Sequence, residues 1–308
     1  MHEPAPPSFS SAASSAGKGR AFAALILSNI CLAFGPLFVR LAEQGGVGAA
    51  GAAFWRVTLA VPFLLIVLKV SGERVGRLDR TLIALLAVAG LCFALDLGSW
   101  HLGILKTKLA NATLFGNSTM LIFPIYGFIV ARAWPSKSQA AALLLAAFGA
   151  ALLMGRSYEA SFDNLLGDLL CVLAGVFYTS YLIAMTRVRQ TLAPWSALIL
   201  SSIAGILPLL LITLAVGENL IPNDWTPLLA LALISQVIGQ GLITYALVHF
   251  QPIVIGVALL IQPVVSGTTG WLFYDERLGV LDFVGAIAVA VALVLVRRPE
   301  RQAPPIAP

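Results

Sequence analysis

The sequence predicts an all-α membrane protein with ten transmembrane helices, arranged as two inverted five-helix repeats. The first observation is composition: 59% of the 308 residues are hydrophobic and 11% are charged, against roughly 25% charged residues in soluble proteins. The mean hydropathy of +0.93 agrees with this. The second observation is a series of ten apolar runs, each near the roughly 20 residues that a helix needs to cross a bilayer. The third is that the first five runs recur, at a fixed offset, as the last five.

Five apolar runs form the first half of the chain, and each ends where charged or turn-forming residues begin. Lys18 and Arg20 precede the first run, and the segment 71–74 (Ser-Gly-Glu-Arg) separates the second run from the third. The turn-forming segment 134–136 (Trp-Pro-Ser) separates the fourth from the fifth. The predicted helices lie at about 21–40, 49–70, 81–104, 109–132 and 137–155.

Five further runs form the second half. The segments 217–219 (Gly-Glu-Asn) and 222–224 (Pro-Asn-Asp) separate the seventh run from the eighth. The weakest separation is at 249–252 (His-Phe-Gln-Pro), which divides two runs because Pro252 is best tolerated at a helix start. The predicted helices lie at about 165–186, 194–216, 227–249, 253–274 and 279–297.

Adding 143 to the residue numbers of the first five runs nearly reproduces the ranges of the last five. Residue identity at this offset is low, so the similarity lies in hydropathy rather than in side chains. Because each half has an odd number of helices, the second half enters the bilayer from the opposite side. The predicted domains are a first repeat over residues 21–157 and a second over residues 164–297. Inverted repeats are common in secondary transporters, which bind substrate between the halves.

The distribution of Lys and Arg predicts the orientation, because cytoplasmic loops carry an excess of these residues. With a cytoplasmic N-terminus, 13 of the 19 basic residues lie on the cytoplasmic side, five lie on the other side, and Arg56 lies within a helix. We therefore expect a multi-pass protein of the bacterial inner (plasma) membrane with both termini cytoplasmic. Residues 1–20 are expected to be a disordered cytoplasmic tail, and residues 298–308 a second cytoplasmic tail.

Charge and cysteine usage argue against several other classes of protein. The net charge is +5, but the basic residues are scattered through short loops, so no nucleic-acid partner is expected. Cys31, Cys92 and Cys171 lie within apolar runs without ligand spacing, so we expect them to pack rather than to bind metal or form disulfides. No metalloprotease motif and no phosphate-binding glycine loop is present. We expect neither enzymatic activity nor a cofactor.

Polar side chains within the apolar runs are the candidate site residues, because such groups are costly in a bilayer unless they face protein or water. In the third helix, for example, Asp96, Ser99 and Trp100 share one face. The functional interpretation is a cavity for a small neutral or zwitterionic solute, and the alternative is interhelical hydrogen bonding that only holds the bundle together. The candidate cavity residues are Trp100, Asp96, Ser99, Asn117, Thr113, Tyr178, Tyr181, Gln236, Gln240, Gln262 and Ser266.

Three charged or titratable residues have a structural or coupling interpretation as well. Asp96 is the only carboxylate deep within a predicted helix, and Arg56 is the only deeply placed guanidinium. Asp96 is able to bind a substrate amine or carry a coupling proton, but a buried ion pair with Arg56 is slightly favoured, since burying either charge alone costs far more. His101 titrates near neutral pH, and its place near the non-cytoplasmic helix end is equally compatible with an interfacial role.

Three short motifs resemble the EamA type of the drug/metabolite transporter superfamily. The segment 54–60 (FWRVTLA) is similar to an Arg-x-x-x-Ala stretch in helix two of that family. Pro263 followed by 275–278 (DERL) resembles its Pro…Glu-Arg-Leu pattern, and 167–170 (GDLL) followed by Tyr178 resembles its opening of helix six. The resemblance covers about residues 20–297. In the first half, Met120 and Ala133 stand where the pattern has Pro and Glu.

The resemblance implies a secondary transporter that exports amino acids or other small metabolites by alternating access, with the aromatic amino-acid exporters as the nearest group. It also implies a cavity lined mainly by helices one, three, four, six, eight and nine. The polar faces agree with this, although helix one offers only Ser28 and Asn29. The expected partners are a small-molecule substrate and the lipid bilayer, and no feature of the sequence predicts an oligomeric state.

Three alternatives stay open beside the exporter. An exchanger of phosphorylated solutes or nucleotide sugars would need paired Lys or Arg in the cavity, where Arg56 is the sole candidate. A passive channel would fit the same apolar runs. An intramembrane enzyme acting on lipid phosphates would need clustered acidic residues for a metal, and the acidic residues here are mostly isolated at helix ends.

Overall fold

A computed structural model of the chain describes residues 15–104, 106–107, 115–155, 162–274 and 279–296. This part of the chain is helical, without a strand, and forms ten apolar spans, so the predicted all-helical membrane architecture is confirmed. The spans are α1 (Ser15–Ala33 and Gly35–Gln44), α2 (Ala49–Ser71), α3 (Arg80–Ile104), α4 (Thr119–Ala131), α5 (Lys137–Gly155), α6 (Leu165–Val188), α7 (Pro194–Val216), α8 (Thr226–Ala230, Leu231–Gly239 and Gln240–Ala246), α9 (Pro252–Leu259 and Ile261–Tyr274) and α10 (Val280–Val296).

The lengths of these spans suit a bilayer. Seven spans within the described ranges are long and apolar enough to cross one, and α4, α5 and α10 are shorter apolar helices there. The predicted fourth helix includes residues 109–114, which lie outside the described part of the chain. The first helix begins at Ser15, within the predicted tail, because hydropathy detects the apolar segment of a helix and not its charged end at Lys18 and Arg20.

Three spans are interrupted near their middles. The first segment of α1 ends at Ala33, before Pro36, and the first segment of α9 ends at Leu259, before Pro263. In both places the proline ring would collide with a carbonyl group four residues earlier, and its nitrogen donates no hydrogen bond. In α8 the residues Leu231–Gly239 form a π-helix, an arrangement that often occurs at functional sites.

Helix contacts between the halves follow a reciprocal pattern. The first-half helix α3 packs against α6, and the equivalent second-half helix α8 packs against α1. In the same way, α3 contacts α7 and its equivalent α8 contacts α2. In addition, three helices of the first half each contact their own equivalent in the second half: α2 contacts α7, α4 contacts α9 and α5 contacts α10. This exchange of partners is the pattern that a twofold relation between two five-helix repeats requires.

The α5–α10 pair illustrates how closely the halves approach. A Cβ placed on Gly149 would lie 2.8 Å from the Gly285 carbonyl oxygen, and a Cβ on Gly285 would lie 2.8 Å from the Gly149 carbonyl oxygen. Small residues permit such close approach of helices in membranes. The three cysteines are free thiols, with Cys31 and Cys171 buried and Cys92 half-buried, which agrees with packing roles.

Candidate functional site

A chain of hydrogen bonds crosses the interface between the halves at Arg56. Arg56 Nε on α2 donates to Gln236 Oε1 on α8 at 2.9 Å, and Gln236 Nε2 donates to Ser202 Oγ on α7 at 3.2 Å. The Gln236 side chain is 1% exposed, so both ends of its amide are satisfied in a site closed to solvent. Three helices from both halves therefore fix the plane of one guanidinium group.

Arg56 also faces an aromatic ring. Its guanidinium carbon lies 5.5 Å from the centre of the Phe93 ring on α3, within the range of a cation–π interaction. Phe93 lies 5.0 Å, ring centre to ring centre, from Tyr181 on α6. The arginine and the tyrosines of α6 thus share one aromatic wall.

The expected ion pair between Asp96 and Arg56 is not formed in the described structure. Asp96 is half-buried on α3, three positions after Phe93, whose ring lies against Arg56. No hydrogen bond or direct ion pair joins them, because Gln236 and Phe93 orient the guanidinium instead. Arg56 and Asp96 are therefore separate groups in this structure.

Two tyrosines and a glutamine form the other side of this region. The rings of Tyr178 and Tyr181 on α6 stack with their centres 5.8 Å apart and their planes 16° apart. Tyr178 Oη donates to Gln240 Oε1 at 3.5 Å, and Gln240 is fully buried. Gln240 Nε2 has no hydrogen-bond partner in the described part of the molecule. An unsatisfied buried donor is costly and needs a reason.

These residues form one group, which we call the central cluster. It combines predicted site residues from both halves with Phe93 and Ser202, which the sequence did not single out. The members joined by contacts are Arg56, Phe93, Tyr178, Tyr181, Ser202, Gln236 and Gln240. Asp96 is included because it lies one turn from Phe93 on the same face of α3.

Phe93 was detectable from the sequence, but Ser202 was not. Phe93 precedes Asp96 by three positions and so shares its helical face. Ser202 lies on α7, which was not expected to line a cavity, and a serine in an apolar helix carries no periodic signal.

Two other candidates serve an interhelical contact. Gln262 Nε2 donates to Asn29 Oδ1 at 3.0 Å, and Ser266 Oγ donates to the Ala33 carbonyl oxygen at 3.1 Å. Both bonds tie α9 to α1 next to the break in α1. The contacts of Gln262 and Ser266 thus match the alternative interpretation, in which polar side chains form interhelical hydrogen bonds that hold the bundle together.

The remaining candidates that the structure describes lie near the end of α3. The Trp100 indole lies over Gly116, where a Cβ would come within 2.9 Å of Trp100 Cδ1. Ser99 and Asn117 are half-buried in the same region. Thr113 and the side chain of His101 lie outside the described part of the chain.

Comparison with known proteins identifies relatives over both halves. The model of the EamA-like transporter family matches residues 19–155 and 165–298. An uncharacterized transporter of Archaeoglobus fulgidus is 23% identical over 288 residues, covering 90% of this chain and 96% of that protein. The pseudopaline exporter CntI of Pseudomonas aeruginosa is 21% identical over 256 residues, covering 82% of this chain and 87% of that protein. A solved crystal structure with 15% sequence identity has the same fold, with a TM-score of 0.72 over 90% of this chain and 98% of that one.

Proposed function

We propose a transport function for this chain on the premise that it belongs to the EamA-like transporter family, whose model matches it in both halves. The chain is a membrane transporter of small metabolites. In this proposal it exports amino acids or similar small metabolites by alternating access between two inverted repeats. The repeats are residues 21–157 and 164–297, and the protein lies in the bacterial inner (plasma) membrane with both termini cytoplasmic.

The observation that carries the proposal is the central cluster. Its side chains come from α2 and α3 of the first half and from α6, α7 and α8 of the second. Charges and amides inside a membrane protein are costly and typically mark a substrate or ion pathway. A cluster that both halves build is a site whose geometry changes when the halves move against each other.

The interrupted helices support the alternating-access mechanism. The breaks in α1 and α9 lie beside the Asn29–Gln262 contact, and the π-helix of α8 carries Gln236. Discontinuous helices near a site between repeats are a common feature of secondary transporters, because they bend with little loss of backbone hydrogen bonding.

Export as the direction is supported by likeness to the pseudopaline exporter. An exchanger of phosphorylated solutes is less well supported, because phosphate recognition usually uses several cationic groups, and Arg56 is the cationic member of the central cluster.

The experiment is counterflow in proteoliposomes that contain the purified protein, using a panel of radiolabelled amino acids with and without a pH gradient. We expect saturable uptake of at least one amino acid that accelerates when the same amino acid is present inside. A passive channel would give no such acceleration. If no member of the panel moves faster than in empty vesicles, the proposal is wrong.

The site assignment needs variants that keep the fold. Gln240→Ala and Trp100→Ala should slow uptake, whereas Ser180→Ala should not, because the Ser180 hydroxyl donates within its own helix, to the Val176 carbonyl. Equal uptake rates for all three variants would mean that Gln240 and Trp100 only pack the bundle and do not contribute to transport.

A further inference from the structure

The central cluster contains a basic and an acidic side chain, Arg56 and Asp96, that are not bonded to each other in the described structure. Arg56 uses Nε to bind Gln236, and its two terminal nitrogens make no hydrogen bond within the described structure. The Asp96 carboxyl group likewise accepts no hydrogen bond there, and it shares a face of α3 with Phe93, whose ring lies against the Arg56 guanidinium. Since an ionised group in an interior is costly without a partner, both side chains are open to a charged group of a bound solute.

We propose that Arg56 binds a carboxylate of the substrate and Asp96 binds an ammonium group of the same molecule, which makes the substrate class zwitterionic. This inference rests on the proposed transport function and specifies its ligand.

The geometry around Arg56 supports this division of roles. Gln236 and Phe93 hold the guanidinium by one edge and one face, which leaves the terminal nitrogens for a bidentate contact of the kind that carboxylates make. The unpartnered Gln240 Nε2 adds one more donor near the tyrosines. A solute with a carboxylate at one end and an amine at the other would satisfy all three groups.

The test is competition for uptake of radiolabelled phenylalanine in proteoliposomes. Unlabelled phenylalanine carries both charges, phenylalaninamide lacks the carboxylate, and N-acetylphenylalanine lacks the ammonium group. For the unaltered protein we expect each analogue to compete about tenfold or more weakly than phenylalanine, because it leaves one buried charge unpaired. The Arg56→Gln variant should no longer distinguish phenylalanine from its amide, and the Asp96→Asn variant should no longer distinguish it from the N-acetyl form.

Each result bears on one claim. If both analogues compete as well as phenylalanine, zwitterion recognition is wrong while transport stands. If Arg56→Gln keeps full discrimination against the amide, Arg56 is not the carboxylate group. If phenylalanine is not taken up, the amino acid that moves fastest in the panel replaces it, with its own amide and N-acetyl derivative. If Arg56→Gln does not fold, Arg56→Lys is the second variant. Lysine keeps the charge but cannot make the bidentate contact, so it should discriminate against the amide more weakly than arginine does, and unchanged discrimination would contradict that contact.

A second and independent observation concerns the ends of α2 and α7. Neither helix is capped by the side chain of its own N-cap residue, Gly48 or Ala193. Instead, Glu218 Oε2 accepts a hydrogen bond from Gly51 N at 2.8 Å, and Glu73 Oε2 accepts one from Ser196 N at 3.0 Å. In each case a carboxylate from one half caps the helix of the other half.

The two caps are equivalent positions of the repeat. Gly51 and Ser196 are each the third residue of their helix, and they are 145 residues apart in the chain. Glu73 and Glu218 are also 145 residues apart. This is close to the offset read from hydropathy. Because the repeats are inverted, one cap lies at each membrane face, and both are closed in the same conformation.

From this we infer that Glu73 and Glu218 fasten α2 to α7 at both faces, so that this pair is the fixed axis around which the other helices rearrange. In alternating access, gates on opposite membrane faces are expected to close one at a time. The Glu73 and Glu218 contacts are instead both formed in the same conformation. The capping energy adds to the favourable interaction of a carboxylate with a helix N-terminus.

A disulfide distinguishes an axis from a gate. A Cβ on Gly48 would lie 2.7 Å from Glu218 Cγ, so Gly48→Cys with Glu218→Cys should cross-link in a variant that lacks Cys31, Cys92 and Cys171. An axis predicts that the cross-linked protein keeps at least half of its uptake rate. Loss of uptake that returns on reduction identifies a gate and overturns the inference, and so does failure of the pair to cross-link.

A measurement that needs no substrate complements this test. Glu73→Ala and Glu218→Ala should each lower the melting temperature in detergent by about 2–4 °C, and the double variant should show the sum, because the two sites are far apart. Glu43→Ala is the control, since Glu43 makes no capping bond and its charge repels Glu218. Unchanged melting in both single variants overturns the fastening role.

Discussion

Arg56 and Gln236 lie 180 residues apart in the chain and are joined by a hydrogen bond of 2.9 Å between Nε and Oε1. The bond links α2 of the first half to α8 of the second, at the place where α8 is π-helical. Because Gln236 Nε2 also donates to Ser202, the amide is held at both ends. One glutamine therefore ties the halves together and sets the direction of the only cation in the central cluster.

The Gln236→Leu variant is expected to be less stable and less active. Leucine removes the acceptor of Arg56 Nε and leaves a buried charged donor unsatisfied, which costs about 1–3 kcal/mol. The measurement is thermal unfolding in detergent together with uptake per folded protein. Thr268→Val is the control, because Thr268 is exposed and bonds within its own helix to the Val264 carbonyl. Equal stability of the two variants would mean that the Arg56 bond contributes little.

The Gln240→Met variant is expected to lose uptake while keeping its stability. Gln240 Nε2 has no partner in the described structure, and its Oε1 receives one long bond of 3.5 Å from Tyr178. Replacing an unsatisfied buried amide by an apolar group of similar volume costs little and can even stabilise. The same two measurements as for Gln236 decide the question. A fall in stability as large as that of Gln236→Leu, with unchanged uptake per folded protein, would make Gln240 a structural residue.

The architecture was predictable from the sequence because the bilayer constrains it strongly. Ten apolar runs of helical length leave helices as the simplest spanning structure, and the offset of 143 residues indicated the repeat. Two of the helix breaks lie at Pro36 and Pro263, but Pro62, Pro124 and Pro208 lie inside continuous helices, so proline alone does not mark the breaks. The π-helical segment of α8 has no such signal, because it depends on how α8 packs against α1 and α2.

The site was predictable in its residue types but not in its pairings. Helical spacing selected Asp96, Gln236 and Gln240 as inward-facing polar groups, and in the structure the two glutamines are buried and Asp96 is half-buried. Opposite charges suggested an Arg56–Asp96 pair, yet Arg56 binds a neutral amide, because partner choice depends on helix rotation and depth. Gln262 looked like Gln240 in sequence, but it is half-buried rather than fully buried and has Asn29 within reach.

The Gly285→Ala variant is expected to disturb packing between α5 and α10. The added Cβ would lie 2.8 Å from the backbone oxygen of Gly149, and a backbone atom cannot move aside as a flexible side chain does. Such overpacking typically costs about 1–3 kcal/mol, which thermal unfolding in detergent would detect. Gly267→Ala is the matched control, because a Cβ on Gly267 meets nothing within 4 Å. If both alanine variants melt at the same temperature, the two helices are free to separate slightly.

The orientation of the chain is the last prediction, and it follows from 13 basic residues on one side against five on the other. Trp134 lies between α4 and α5 and is 95% exposed, and Ile221 lies between α7 and α8 and is 75% exposed. In a variant without the three native cysteines, Trp134→Cys should react with a membrane-impermeant thiol reagent only after the cells are opened. Ile221→Cys should react in intact cells whose outer membrane has been made permeable. The reverse labelling pattern would place both termini outside the cytoplasm and would exchange the faces of the Glu73 and Glu218 caps, because the odd number of helices in each half fixes these loops on opposite sides.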